Sequence, residues 1–165
     1  MALSLAFLLQ PGQKTMIVGV AVTVTFSELD LGDVARYDRL FELLQILRPP
    51  LTRAESDRFL EEGHRQGLRG VVALDREGEL ACLALYRILR TSRGSVVFID
   101  DLVTRPDLRS HGIGDAMLAQ VEARGRRAGC ERVELDSGVS NGGAQRFYER
   151  HGYAAIAVHF AKDLG

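Results

Sequence analysis

The sequence is poor in the features that mark several protein classes. Only two of its 165 residues are cysteines, Cys82 and Cys130, too few for a disulfide scaffold. With the histidines at 64, 111, 151 and 159 they show no metal-ligand spacing, so no metal is expected. The net charge is −1, from 21 basic and 22 acidic side chains, and favours neither a nucleic-acid partner nor a membrane surface. No apolar run is long enough to cross a bilayer. The apolar start MALSLAFLLQ lacks a basic region before it, which argues against a secretory leader. Residues 1–15 read as a flexible extension and 16–165 as one domain. Repeats and low-complexity linkers are missing as well. The absence of a disulfide pattern points to the cytoplasm.

What is present is a regular alternation of strand and helix patterns. Residues 16–26 are apolar and β-branched, as a strand requires. Val34, Leu40, Leu43, Leu44 and Leu47 make a stripe at three-to-four spacing, predicting a helix over 31–47 that Pro49 and Pro50 stop. Thr52 and Glu55 form a capping box for a second helix over about 53–66. Residues 68–89 read as a hairpin turning at DREGE. The run 95–104 is a nearly unbroken apolar strand interrupted by Asp100 and Asp101. Adjacent strand residues face opposite ways, so these two acids should not share a role unless a bulge intervenes.

Ile113, Met117 and Val121 share one face of a helix that runs to about Gly129. Over 131–137, Val133 and Leu135 alternate with Glu134 and Asp136, as in a strand. Ser140 or Asn141 caps a short helix over 143–150, and YAAIAVHFAKDL reads as a final strand. The order β α α β β β α β α β implies an α+β (mixed α/β) domain: one mostly antiparallel sheet flanked by helices.

The stretch RSHGIGDAML, residues 109–118, joins the acid-bearing strand to the long helix. A helix N-terminus offers free N–H groups and partial positive charge, which suit phosphate oxygens. Gly112 and Gly114 let a bulky anion reach the backbone, with Arg109 and Arg105 adding charge. The dinucleotide fingerprint fails, because Met117 stands where its third glycine belongs. The P-loop fails too, because Asp115 follows Gly114 where a lysine is needed. What remains is Arg109-Ser-His-Gly112-Ile-Gly114 after a strand. It resembles the acyl-CoA pyrophosphate loop of the GNAT acetyltransferase superfamily. NGGAQRFYERHGY at 141–153 is similar to that superfamily's later motif, with Asn141, Ala144, Phe147, Tyr148, Gly152 and Tyr153 in register. The resemblance covers residues 17–165, strongest over 95–160.

It implies a twisted sheet of six to seven strands with about four helices, splayed between the fourth and fifth strands. It implies an N-acetyltransferase that moves an acetyl group from acetyl-CoA directly to a primary amine of a small molecule, peptide or protein. The alternative is a non-catalytic acyl-CoA-binding regulatory module on the same fold. A homodimer stays open. Arg109, Ser110, His111, Gly112, Ile113 and Gly114 would hold the pyrophosphate. Leu102, Val103 and Thr104 would pair their backbone with the pantetheine arm, and Asn141 would reach that arm or cap its helix. Tyr148 would protonate the leaving thiolate. Asp100 is the first candidate for base or amine anchor, Asp101 the second, and Glu134 and Asp136 lie on the next strand. Asp136, residues 135–139 and His159 would line the acceptor pocket. Acids at 100, 101 and 136 suggest an acidic pocket for a cationic acceptor.

Overall fold

The computed structural model describes residues 14–18, 22–32 and 39–165. Six strands form one sheet in sequence order: β1 (Lys14–Val18), β2 (Val22–Leu29), β3 (Arg69–Leu74), β4 (Leu80–Thr91), β5 (Gly94–Thr104) and β6 (Arg132–Leu135). Every pairing is antiparallel except the last, where β6 runs parallel to β5. The helices are α1 (Leu40–Leu47), α2 (Arg53–Arg65), α3 (Ile113–Arg127) and α4 (Gly142–Arg150). The expected mixed, mostly antiparallel architecture is what forms.

Alternation along β4 divides the core in two. Cys82, Ala84 and Tyr86 face α3, where Ile113, Met117 and Val121 bury the predicted stripe. Leu83 and Leu85 face α1 and α2, packing with Leu40, Leu43, Leu44 and Leu60. Both faces of the central strands are covered, so β3 and β4 are almost continuously apolar. Each fully buried leucine contributes about 1.5–3 kcal/mol. Thr52 and Glu55 make the predicted capping box at α2. Gly129, with φ of +72°, turns the chain after α3 as a C′ glycine does.

Three expectations change. The run 16–26 is not one strand. It folds back on itself, pairing Met16 with Val24, so each half satisfies the other's backbone. Lys14 and Thr15 therefore belong to the sheet, while residues 1–13 of the expected extension lie outside the described residues. The first helix is described from Leu40, and Val34 also falls outside. The expected final strand is absent: residues 153–165 have no regular structure, and Ile156, Val158 and Phe160 are exposed. An alternating pattern becomes a strand only where a neighbouring edge receives its hydrogen bonds, and this segment, although it runs near β6, pairs with no described strand.

Candidate active site

The extra hairpin makes 94–104 the fifth strand, so the expected splay falls between β5 and β6. The two strands pair only from Val96↔Arg132 to Ile99↔Leu135. Beyond that point β5 continues to Thr104 with its β6-side edge open. Among the described residues the backbone of Asp100–Val103 has no partner on that side, as an added strand-like ligand needs, while the Thr104 carbonyl accepts from Arg109 Nε.

The splay begins at a bulge. Leu85 pairs with Asp101, while the next β4 residue, Tyr86, pairs with Ile99, leaving Asp100 as an extra residue. The bulge resets the alternation, so both acids face α1 and α2. Asp100 lies 3.5 Å from Arg87 on β4, while Asp101 is buried against the guanidinium of Arg48, just after α1. Burial pushes the Asp100 carboxyl above the ordinary carboxylate range, opposed by Arg87 and reinforced by the Asp101 charge. Parallel register sets Glu134 beside Phe98 on this same face, with Arg93 at 3.6 Å and Arg132 at 3.9 Å. The expected acidic pocket is thus not simply acidic. Each of these carboxylates has an arginine partner, and Asp136 meets His159 at 3.0 Å. His159 sits on the unpaired C-terminal segment, its side chain 66% exposed.

Among the described residues, six buried side-chain polar atoms lack a hydrogen-bond partner. Five belong to Arg87, Asp100, Asp101, Glu134 and Ser137, beside the splay. Two of these atoms, Arg87 Nε and Asp100 Oδ2, form the 3.5 Å ion pair, so the cluster is charge-paired yet short of hydrogen bonds.

The other wall of the splay is the loop and α4. Arg109 to Gly112 lead into α3 through two left-handed residues, Ser110 at φ +63° and Gly112 at φ +79°. No side chain caps the helix. Among the described residues the N–H groups of Ser110 to Asp115 have no partner, which makes a run of free donors at the positive end of the helix. Among the described residues Arg109 makes one side-chain hydrogen bond, from Nε to the Thr104 carbonyl at 3.4 Å, leaving the rest of its head for an anion. Arg105, the other expected cation, is instead fixed by Asp75 at 3.0 Å and Asp107 at 2.9 Å.

Asn141 accepts from the Ala144 amide at 3.1 Å and caps α4. The helix leans on the loop: the Phe147 ring lies 3.5 Å from the position a Cβ on Gly114 would occupy. His151 Nε2 lies 3.2 Å from the Asp115 carboxylate. This packing brings Tyr148 toward Cys82 and Thr104, whose side chains meet at 3.3 Å. Burial pushes the Tyr148 phenol up to about 12, with Cys82 adding to the shift, so at neutral pH it is a proton donor.

The structure thus gathers Asp100, Asp101, Leu102, Val103, Thr104, the loop and Tyr148 around one opening. Asp136 and His159 lie at its outer margin. Arg48 and Arg87 were not singled out from the sequence, because lone arginines on a helix end and a strand carry no local signal. A concavity of about 520 Å³ near the C-terminus of α3 shares no residue with this opening.

Comparison with known proteins agrees with the geometry. The model of the acetyltransferase (GNAT) family matches residues 37–153. An aminoalkylphosphonate N-acetyltransferase of Salmonella typhimurium is 39% identical over 66 residues, 40% of this chain and 43% of the relative. The chain spans about half the length of the curated relatives it matches. An acetyltransferase of Trypanosoma brucei superposes with a TM-score of 0.68 at 28% identity, over 86% of this chain and 99% of its own. An aminoglycoside N-acetyltransferase solved with CoA has the same fold, with a TM-score of 0.74 at 18% identity over 90% of this chain and 99% of its own. The chain belongs to the acetyltransferase (GNAT) family and carries that family's fold, with the open splay in its sheet.

Proposed function

We propose that this protein is an N-acetyltransferase that moves an acetyl group from acetyl-CoA to a primary amine of a small molecule by direct attack. One observation carries the reading: the open edge of β5 leads straight into an uncapped helix N-terminus with Tyr148 alongside. Amides from Ser110 to Gly114 and the Arg109 head hold the pyrophosphate. The open edge of Leu102 to Thr104 receives the pantetheine arm, with Arg109 yielding the Thr104 carbonyl. The side-chain carbonyl of Asn141 is spent on its cap, and its amide NH₂ is left for that arm.

The acceptor approaches from the α1 and α2 side. Its nitrogen forms the new C–N bond as the C–S bond breaks, and its proton passes to Asp100, with Asp101 as the second candidate. Raised to about 12, the Tyr148 phenol is a weaker acid than an ordinary thiol at about 8.5. Its role is therefore a hydrogen bond to the leaving sulfur that strengthens as charge develops. The relatives support a small-molecule acceptor: one acts on aminoalkylphosphonates and a fold neighbour on aminoglycosides. Both described thiols are free, which suits the cytoplasm.

The test is release of free CoA thiol from acetyl-CoA over a panel of amines. Turnover with at least one amine supports the reading. Tight acetyl-CoA binding with no release from any amine points instead to the non-catalytic binding module.

A further inference from the structure

The acceptor face is mixed in sign, and this restricts what it takes. Arg48, Arg87, Arg93 and Arg132 stand against Asp100, Asp101 and Glu134. The atoms left without hydrogen bonds are also mixed: acceptor oxygens on Asp100, Asp101 and Glu134, and a donor, the Nε of Arg87. A polycationic amine would have to displace arginines from these carboxylates and offers nothing to the guanidiniums it displaces. A plain alkylamine satisfies the carboxylates but leaves the Arg87 Nε stranded. A molecule with one ammonium and one anionic group exchanges partners one for one. Its ammonium takes a carboxylate, and its anion takes the guanidinium thereby released.

We infer that the acceptor is a short amine carrying its own acidic group, with Arg48 and Arg87 as ligands of the anion and the acids of the bulge as ligands of the ammonium. This rests on the acetyltransferase reading. Arg87 Nε and Asp100 Oδ2 lie 3.5 Å apart, so the two charges of the acceptor are separated by only a few bonds. Arg48 is 54% exposed while its partner Asp101 is 2% exposed. Arg48 can therefore turn toward a ligand without unfolding anything, whereas Asp101 stays fixed beneath it.

The experiment is thiol release from acetyl-CoA with four amines: β-alanine, 2-aminoethylphosphonate, n-propylamine and 1,3-diaminopropane. The expected result is a kcat/KM at least tenfold higher for one or both acid-bearing amines than for n-propylamine, expressed mainly in KM. Arg87→Gln and Arg48→Gln should each move that ratio toward one. A merely structural arginine would slow all amines alike and leave the ratio unchanged, as a melting curve on each variant would corroborate. Equal turnover of n-propylamine, or preference for 1,3-diaminopropane, overturns the inference and leaves the acetyltransferase reading intact. No release with any of the four, or with any other amine, overturns both.

Discussion

The two faces of the sheet solve opposite problems. On the α3 side the donor loop rests on a dry core in which Met117 and Val121 are fully buried. The groups proposed to bind the donor there are backbone amides that cannot move independently of the helix. On the α1 and α2 side the site consists of long charged side chains, ion-paired but incompletely hydrogen-bonded. A donor shared by all reactions calls for a rigid cradle, and an acceptor that differs between relatives calls for a surface that side chains can redraw. The first kind of site is carried by chain geometry, the second by charge.

That contrast can be tested at four points. The largest effect is expected at Asp100. Asp100→Asn should lower kcat/KM about a hundredfold, the usual scale for loss of a general base. Acetyl-CoA binding should be unchanged by calorimetry. Because burial raises this carboxyl, the acidic limb of the wild-type kcat/KM profile should lie above the ordinary carboxylate range and be lost in the variant. An unchanged limb would remove Asp100 as the base.

Next comes the rigidity of the donor side. A Cβ on Gly125 of α3 would sit 2.5 Å from the Cγ2 of Val97, a stiff β-branched core residue. Gly125→Ala should cost about 1–3 kcal/mol in denaturant unfolding. No loss would mean that this face yields more than its packing implies.

Tyr148→Phe keeps the ring and removes the proton donor. Turnover should fall about tenfold, or 1.4 kcal/mol in barrier, with acetyl-CoA affinity retained. Equal turnover would assign Tyr148 to packing alone.

The least effect near neutral pH is expected from alkaline titration. Burial raises Cys82 to about 12 and Tyr148 to about 12, and Tyr86 and Tyr153 also shift upward, burial again being the first cause. All four belong to the α3 side of the core. A raised folded pKa gives stability that is complete below the unfolded value and lost as pH rises through the folded one. Stability should therefore hold to about pH 9, the unfolded thiol value, and decline toward about 12. Tyr148→Phe should soften that decline.

The donor side was legible in the sequence because its signals are local. A strand, a proline, two glycines and an apolar helical stripe follow one another within about thirty residues, and each acts on its neighbours. Tyr148 came with them because α4 keeps its own short motif. The acceptor side was only half legible. The acids at 100 and 101 stood out against their apolar strand, but their common orientation depends on how β5 registers with β4. Arg48 reaches Asp101 across 53 residues of chain, a distance over which no periodicity speaks. Residues 153–165 were misread for the same reason: alternation records a tendency to pair, while the partner is decided elsewhere in the fold.

The bulge at Asp100 is also a matter of counting. Ile99 and Asp101 already sit opposite consecutive residues of β4, so removing the inserted Asp100 would leave the register of everything after it with β4 unchanged. Leu102, Val103 and Thr104 would face the same way without it. A chain lacking this one residue should keep its fold and its loop, yet lose one carboxylate at the point where β6 parts from β5. Shortening β5 by that residue would show whether the opening depends on the bulge.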